Sequence, residues 1–359
     1  MRRAGGAPFA EALRRYASCS ARPFHTPGHK QGRGASETLR ALLTPEGLAA
    51  DVSLLDELDD LYAPRTFLKQ AQDAAARLYG ADGTQFFVNG TTGAIHAMLL
   101  AALRPGDAVI VPRNAHRSVL GGLILSGARP VYALPAYDED LGIASAISPA
   151  AVEAALRACP EAKAVLAVHP TYYGLASDLR QIARLSHARC ALLLVDEAHG
   201  AHLKFCEALP EQALDAGADM AAQSTHKLLG SLTQTSMLHW RGPRVDAAAV
   251  RAASALVQST SPNQLLLASL DAARAQMEQA GAPLVGREMC IRDSFGALSI
   301  ARCAANAVLQ VESTGVAPVF EYAGAGAAKE TGPIPFAAGG DHQGGSQTAD
   351  RTPGEALYH

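Results

Sequence analysis

The sequence predicts an α/β fold, a mainly parallel sheet with helices on both faces. Three observations predict it. Short apolar runs of strand length recur at Thr84–Val88, Ala108–Val111, Ala164–Val168 and Ala191–Val195. Helical patterns fall between them, giving a β-loop-α rhythm. The polar clusters Gly90–Thr92, His116, Thr171, Asp196 and Ser224–Lys227 each follow a strand. A parallel sheet would gather such clusters on one rim, where open α/β sheets place their ligands.

In chain order, residues 1–22 read as an N-terminal helix with Phe9, Leu13 and Tyr16 at helical spacing. Pro27 and Gly28 then fix a loop carrying His25, His29 and Lys30, able to hold an anion or a substrate group. Residues 51–66 are acidic, and residues 67–80 form a helix closing at Gly80. The strand Thr84–Val88 runs through Asn89-Gly90-Thr91-Thr92-Gly93 into an Ala- and Leu-rich helix ending near Leu103. Free amides at that helix start and two hydroxyls make a phosphate cradle, though an ordinary capped turn has the same pattern. Strands at Ala108–Val111 and Arg129–Leu134 follow, then a helix at Pro149–Ala158, the strand Ala164–Val168 and a helix at Leu179–His187. The strand ending at Asp196, the Lys227 loop, a strand at Ser236–Trp240 and a long helix from Pro262 to Ala280 complete the pattern.

The expected organisation is an N-terminal helix and loop (1–50), a large domain (51–262), an interdomain helix (263–286) and an atypical, disordered tail (287–359) rich in Gly, Ala, Ser and Pro. With 359 residues the chain can bury a sizeable core. A formal net charge of −3 carries no nucleic-acid or membrane-surface signature. No apolar run reaches the length of a membrane span, and the N-terminus lacks the apolar core of a signal peptide. Cys19, Cys159, Cys190, Cys206, Cys290 and Cys303 show no CxxC spacing, so reduced thiols, a cytoplasmic location and no metal site are expected.

Alone, Asp196 would be a turn or cap residue and Lys227 a solvated charge. Together, an acid at one strand end and a lysine just after the next strand match one demand. Pyridoxal phosphate needs a lysine to hold it as a Schiff base and a carboxylate to pair with its pyridine nitrogen. Lysine is scarce, at Lys30, Lys69, Lys163, Lys204, Lys227 and Lys329, which narrows the choice of anchor.

Seven blocks occur in order over roughly residues 5–285: HTPGHKQG, FFVNGTTGAIHAMLLA, RNAHRS, VHPTYYG, VDEAHGAH, STHKLLGSLTQTS and STSPNQLLLASLDAAR. Together they resemble the Orn/Lys/Arg decarboxylases, pyridoxal-phosphate enzymes with an aspartate-aminotransferase-like large domain. The resemblance implies that Lys227 is the covalent anchor, Asp196 the partner of the ring nitrogen, and His116 the histidine stacked on the ring. It implies that Gly90, Thr91, Thr92, Ser224 and His226 form the phosphate site and that His199 lies beside the ring. It also implies a homodimer or higher homo-oligomer, in which Thr260, within Ser259–Pro262, reaches the neighbouring subunit's phosphate, and a small amino-acid substrate entering near the HTPGHK loop.

The activity so implied is decarboxylation of arginine, lysine or ornithine to a polyamine-type amine. Transamination or elimination on the same fold stays open, because these residues serve the cofactor and not the bond broken. A catalytically silent cofactor-binding fragment stays open too, because the resemblance stops near Gly286. There Arg287-Glu288-Met289-Cys290-Ile291-Arg292-Asp293-Ser294 looks foreign to the helix and resembles translated sequencing adapter.

Overall fold

Seven strands form the expected central sheet, and their C-terminal rim carries the polar clusters. The computed structural model describes residues 5–19 and 22–294, and of residues 288–294 the backbone only.

The elements are helix α1 (Pro8–Ala17), short helices α2 (Glu37–Leu42) and α3 (Pro45–Ala50), helix α4 (Phe67–Tyr79), strand β1 (Gly83–Phe87) and helix α5 (Gly90–Ala102). Strand β2 (Ala108–Pro112), helix α6 (Arg117–Ser126) and strand β3 (Arg129–Ala133) follow. A small hairpin of β4 (Tyr137–Asp138) and β5 (Ile143–Ala144) precedes helix α7 (Pro149–Ala158), strand β6 (Ala164–Val168), helix α8 (Leu179–His187) and strand β7 (Leu192–Asp196). Then come β8 (Met220–Gln223), the single turn α9 (Thr225–Leu228), β9 (Ser236–Trp240), α10 (Ala247–Val257) and α11 (Gln264–Ser294).

The sheet order is β1-β9-β8-β7-β6-β2-β3. The β8-β7, β7-β6, β6-β2 and β2-β3 pairs are parallel, each step using a helical crossover or a long connection. Strand β9 lies antiparallel between β8 and β1, because only one helical turn separates β8 from β9.

Side-chain alternation splits the core in two. Val109, Leu166, Leu194 and Leu238 pack with α5, α6 and α10 on one face. Ile110, Val165, Leu193 and Val195 pack with α7 and α8 on the other. Helices α1, α4 and α11 form a third cluster over Phe86, Val88 and Met237.

Local signals explain most boundaries. Gly80 ends α4 at φ 71°, a left-handed C-cap that favours glycine. Ser148 and Asp178 accept the first-turn amides of Ala151 and Gln181 at the starts of α7 and α8. Differences from the sequence reading have physical causes. Helix α1 occupies only Pro8–Ala17 of the stretch 1–22, starting where proline suits the first turn. Helices α6 and α10 were not anticipated, since neither has a clean apolar stripe. Helix α11 passes Gly286 without a break and continues to Ser294, so the helix does not end where the sequence pattern changes. The expectation for the tail beyond falls, from residue 295, outside the described residues.

Candidate active site

Strand β7 delivers Asp196 to the rim, buried at 3% exposure. Its Oδ1 accepts the Ala198 N–H at 3.1 Å. Its other oxygen has no protein partner among the described residues. Burial pushes the Asp196 pKa up, and the Ala198 amide, Lys227 and His116 pull it back.

The next strand, β8, leads through Ser224 into α9, which carries Lys227. Lys227 Nζ lies 3.1 Å from His199 Nε2. Burial lowers the Lys227 pKa, against a raising pull from Asp196. His199 is pushed down to about 4, first by burial and then by Lys227 and His116, so it stays neutral near pH 7. A neutral Nε2 accepts a hydrogen from the amine. Tyr172 stands edge-on to the His199 ring at 5.8 Å between centroids.

The cradle lies beside this group. Thr91 Oγ1 is 2.5 Å from Ser224 Oγ and 2.9 Å from Ser236 Oγ. Asn89 does not cap α5; its Nδ2 donates instead to the Val257 carbonyl at 2.7 Å. Gly90 turns the chain at φ 77°. A Cβ on Gly93 would lie 2.3 Å from Asn89 Oδ1, so the cradle needs glycine there.

Four sequence-predicted residues, Lys227, Asp196, His199 and His116, therefore share one electrostatic neighbourhood, and Thr91 meets Ser224. His116 is exposed, and its Nδ1 caps α6 by accepting the Ser118 amide at 3.2 Å. Thr92 is exposed, and His226 holds the Thr235 carbonyl at 2.8 Å. Thr260 is exposed on the turn after α10, and the Asn89 bond to Val257 ties the end of that helix to the start of α5. Three of the other lysines are engaged elsewhere. Lys30 Nζ donates to the His25 carbonyl at 2.5 Å, Lys204 pairs with Asp215 at 2.7 Å, and Lys69 pairs with Asp73.

Residues 7–302 match the model of the Orn/Lys/Arg decarboxylase major domain. The chain belongs to the Orn/Lys/Arg decarboxylase family. It is 44% identical over 295 residues to an arginine decarboxylase of Halalkalibacterium halodurans, covering 81% of this chain and 60% of that protein. It is 44% identical over 277 residues to an arginine decarboxylase of Bacillus subtilis, covering 77% of this chain and 56% of that one. The solved structure of lysine decarboxylase A from Pseudomonas aeruginosa aligns with a TM-score of 0.75 and 31% identity, over 83% of this chain and 44% of that one. The chain thus spans little more than half the length of the curated relatives it matches. The fold is the aspartate-aminotransferase-like large domain of this decarboxylase family.

Sequence reasoning missed several residues that shape this decarboxylase-family site. Glu197 is fully buried behind Asp196, and burial above all pushes its carboxyl up to about 8. Gln223, Ser236 and His239 are buried beneath the cradle. His202 is buried with Nδ1 unpartnered among the described residues, and burial holds it neutral, down at about 4. The available signal was weak: Gln223 ends the apolar run of β8, Ser236 opens β9 and His239 interrupts its apolar run. Among the described residues, no helix is long and apolar enough to cross a membrane, and no group of three potential ligands is placed to hold a metal ion.

Proposed function

We propose that this chain is the cofactor-binding part of a pyridoxal-phosphate-dependent decarboxylase acting on a basic amino acid. The reading puts arginine first, on the strength of the 44% identical relatives named arginine decarboxylase. The observation that carries it is the Lys227–His199 contact of 3.1 Å beside the buried Asp196.

The residues present fit the cofactor. A buried carboxylate with one unpartnered oxygen suits a cationic ring N–H, which would offset the burial that now raises its pKa. The uncapped start of α5, with the Thr91 and Ser224 hydroxyls, suits a phosphate. Lys227 would be the anchor, Asp196 the partner of the ring nitrogen, and His116 the cover of one ring face. Gly90, Thr91, Thr92, Ser224 and His226 would hold the phosphate, joined by Thr260 of a second copy in a homodimer. Bound pyridoxal phosphate supplies a sink for the electron pair left on Cα when CO2 departs.

The chain's own groups do the rest. Neutral His199 accepts a hydrogen from Lys227, which leaves the amine lone pair free for attack on a carbonyl carbon. Burial lowers the Lys227 pKa, the direction that favours the free amine such an attack requires. Asp196 would pair with the proton of the ring nitrogen, whose positive charge would favour the carboxylate form. Lys227 would also be the chain's own group for returning a proton to the substrate carbon.

Borohydride reduction with the cofactor, followed by peptide mapping, tests the anchor, and CO2 release from arginine, lysine and ornithine tests the reaction. The expected result is a stable adduct on Lys227 and release that is fastest from arginine. An adduct on Lys30 or Lys204 would sink the site assignment. Attachment at Lys227 without CO2 from any of the three would sink decarboxylation. Active material that sediments only as a monomer would remove the role given to Thr260.

A further inference from the structure

Beneath the rim lies a chain of buried polar groups that the proposed reaction does not use. Glu197 Oε1 accepts the Ala213 amide at 2.6 Å, and its Oε2 accepts Gln223 Nε2 at 2.8 Å. Gln223 Oε1 lies 3.1 Å from His239 Nε2, and His239 Nδ1 lies 2.7 Å from Thr84 Oγ1. These directions follow from one another. Gln223 donates to Glu197, so its oxygen faces His239. The ring then carries its proton on Nε2 and accepts the Thr84 hydroxyl at Nδ1. Burial keeps His239 neutral, down at about 3, in agreement with that assignment. The chain crosses four neighbouring strands, from the end of β7 through β8 and β9 to β1.

A second line of hydrogen bonds ends at the same residue. Ser224 donates to Thr91 at 2.5 Å, Thr91 to Ser236 at 2.9 Å, and Ser236 to the Gln223 carbonyl at 2.7 Å. Gln223 is thus the meeting point of the two lines. It directly precedes Ser224 of the cradle, and its side chain holds the residue directly after Asp196. Every group along the Thr84–Glu197 line is paired, and such a buried network fixes geometry only while it is complete.

We propose that Gln223 is a positioning residue, whose carboxamide bridge from Glu197 to His239 and whose carbonyl bond from Ser236 set the phosphate cradle and Asp196 in fixed relation before a cofactor arrives. The proposal rests on the pyridoxal-phosphate reading of the rim. An apolar side chain at 223 would leave one Glu197 oxygen and the His239 N–H unpaired in the interior, and the strand ends would shift to relieve both. Exchanging the two partners keeps every bond. With Glu197→Gln and Gln223→Glu together, the carboxamide at 197 still accepts Ala213 N–H and donates to 223, and the carboxylate at 223 still accepts His239 N–H.

The full-length chain is compared as parent, Gln223→Leu, Gln223→Asn and the exchanged pair. Amide hydrogen exchange of the cofactor-free protein is read over residues 89–93 and 224–227, and the Kd for pyridoxal phosphate is read by fluorescence titration at matched folded fraction. The expected result is faster exchange in both segments and a Kd raised about tenfold or more in Gln223→Leu, with both restored in the exchanged pair. Gln223→Asn is too short to span Glu197 and His239 and should behave as Gln223→Leu does, which decides the matter if the leucine variant does not fold. Unchanged exchange in the single variants overturns the proposal, as does an exchanged pair no better than they are. A parent that fails to attach the cofactor at Lys227 overturns the cofactor reading instead, and the exchange arm still decides the role of Gln223.

Discussion

Asp59 offers a stability test worked from the structure. Its carboxylate accepts the backbone amides of Arg65 at 2.9 Å, Thr66 at 2.7 Å, Leu68 at 3.1 Å and Lys69 at 3.4 Å. It thereby caps α4 from outside the helix, since Thr66 makes no side-chain cap. Asp59 itself sits at φ 120°, a conformation that side chains rarely adopt. A hydrogen bond to a charged group contributes about 1.5–3 kcal/mol net. The four amides share two oxygens and one helix end, so they do not add. We expect Asp59→Ala to cost about 3 kcal/mol, somewhat more than the ~2 kcal/mol upper figure for an ordinary N-cap. For a chain of 359 residues that is a fall of about 4 °C in Tm. The sign with pH is fixed. Burial alone would raise the Asp59 pKa, but the amides outweigh it and hold it below 3.8. The stabilisation is therefore present above the ordinary carboxylate range and lost as pH falls through the depressed value. Urea unfolding of both proteins at pH 7 and in acid is the assay. A loss under about 1 kcal/mol at pH 7 would refute the capping account, and so would a difference that grows on acidification.

Two further outcomes follow from the rim. Asp196→Asn should still bind the cofactor but lower the decarboxylation rate by roughly a hundredfold or more, because a neutral amide does not hold the ring nitrogen protonated; near-normal turnover would show another group doing so. For Glu197, the folded pKa of about 8 stands above the ordinary 4.5, so the native state binds the extra proton and stability falls as pH rises through that window. Glu197→Gln should flatten this fall in urea titrations at pH 5–8, and an unchanged slope would place the titrating group elsewhere. Asp215 and Asp196 are the neighbouring carboxylates whose charge adds to burial in raising the Glu197 pKa.

Much of this architecture was legible because strand ends and polar clusters coincide. The runs Ala164–Val168 and Ser236–Trp240 match strands residue for residue, and Pro149–Ala158 and Leu179–His187 match helices. Each has strong punctuation: Pro149 after Ser148, or Asp178 as a cap. Helix α6 was missed because Leu120, Ile124 and Leu125 are apolar yet exposed, which blurs the periodicity. Asp196 and Lys227 stood out by their places after successive strands together with the family-like blocks around them, and parallel neighbours put such ends on one rim. The Glu197–Gln223–His239–Thr84 line was not legible, because it joins residues from four strands whose order is 1-9-8-7 and not sequential. No local pattern announces a hydrogen bond between positions 84 and 239.

The electrostatics of the rim and of the layer beneath it have a common logic. Three histidines, His199, His202 and His239, are held neutral, each first by burial. Burial likewise raises the Glu197 carboxyl towards its neutral form and lowers Lys227 towards its free amine. Burial raises Asp196 as well, with an amide, a lysine and a histidine standing against it. The rim thus holds a desolvated carboxylate with one oxygen left without a protein partner among the described residues. A ligand that brings a cation to the unpartnered Asp196 oxygen would relieve the desolvation of that carboxylate on binding. A ligand without one would leave it uncompensated. Selectivity for a cationic ring is thus built into how the sheet buries its strand ends. A net charge added at His239 should disturb it even though that side chain does not reach the rim, since a new charge there would compete with Asp196 inside the same low-dielectric layer, whereas the exchanged pair at 197 and 223 adds none.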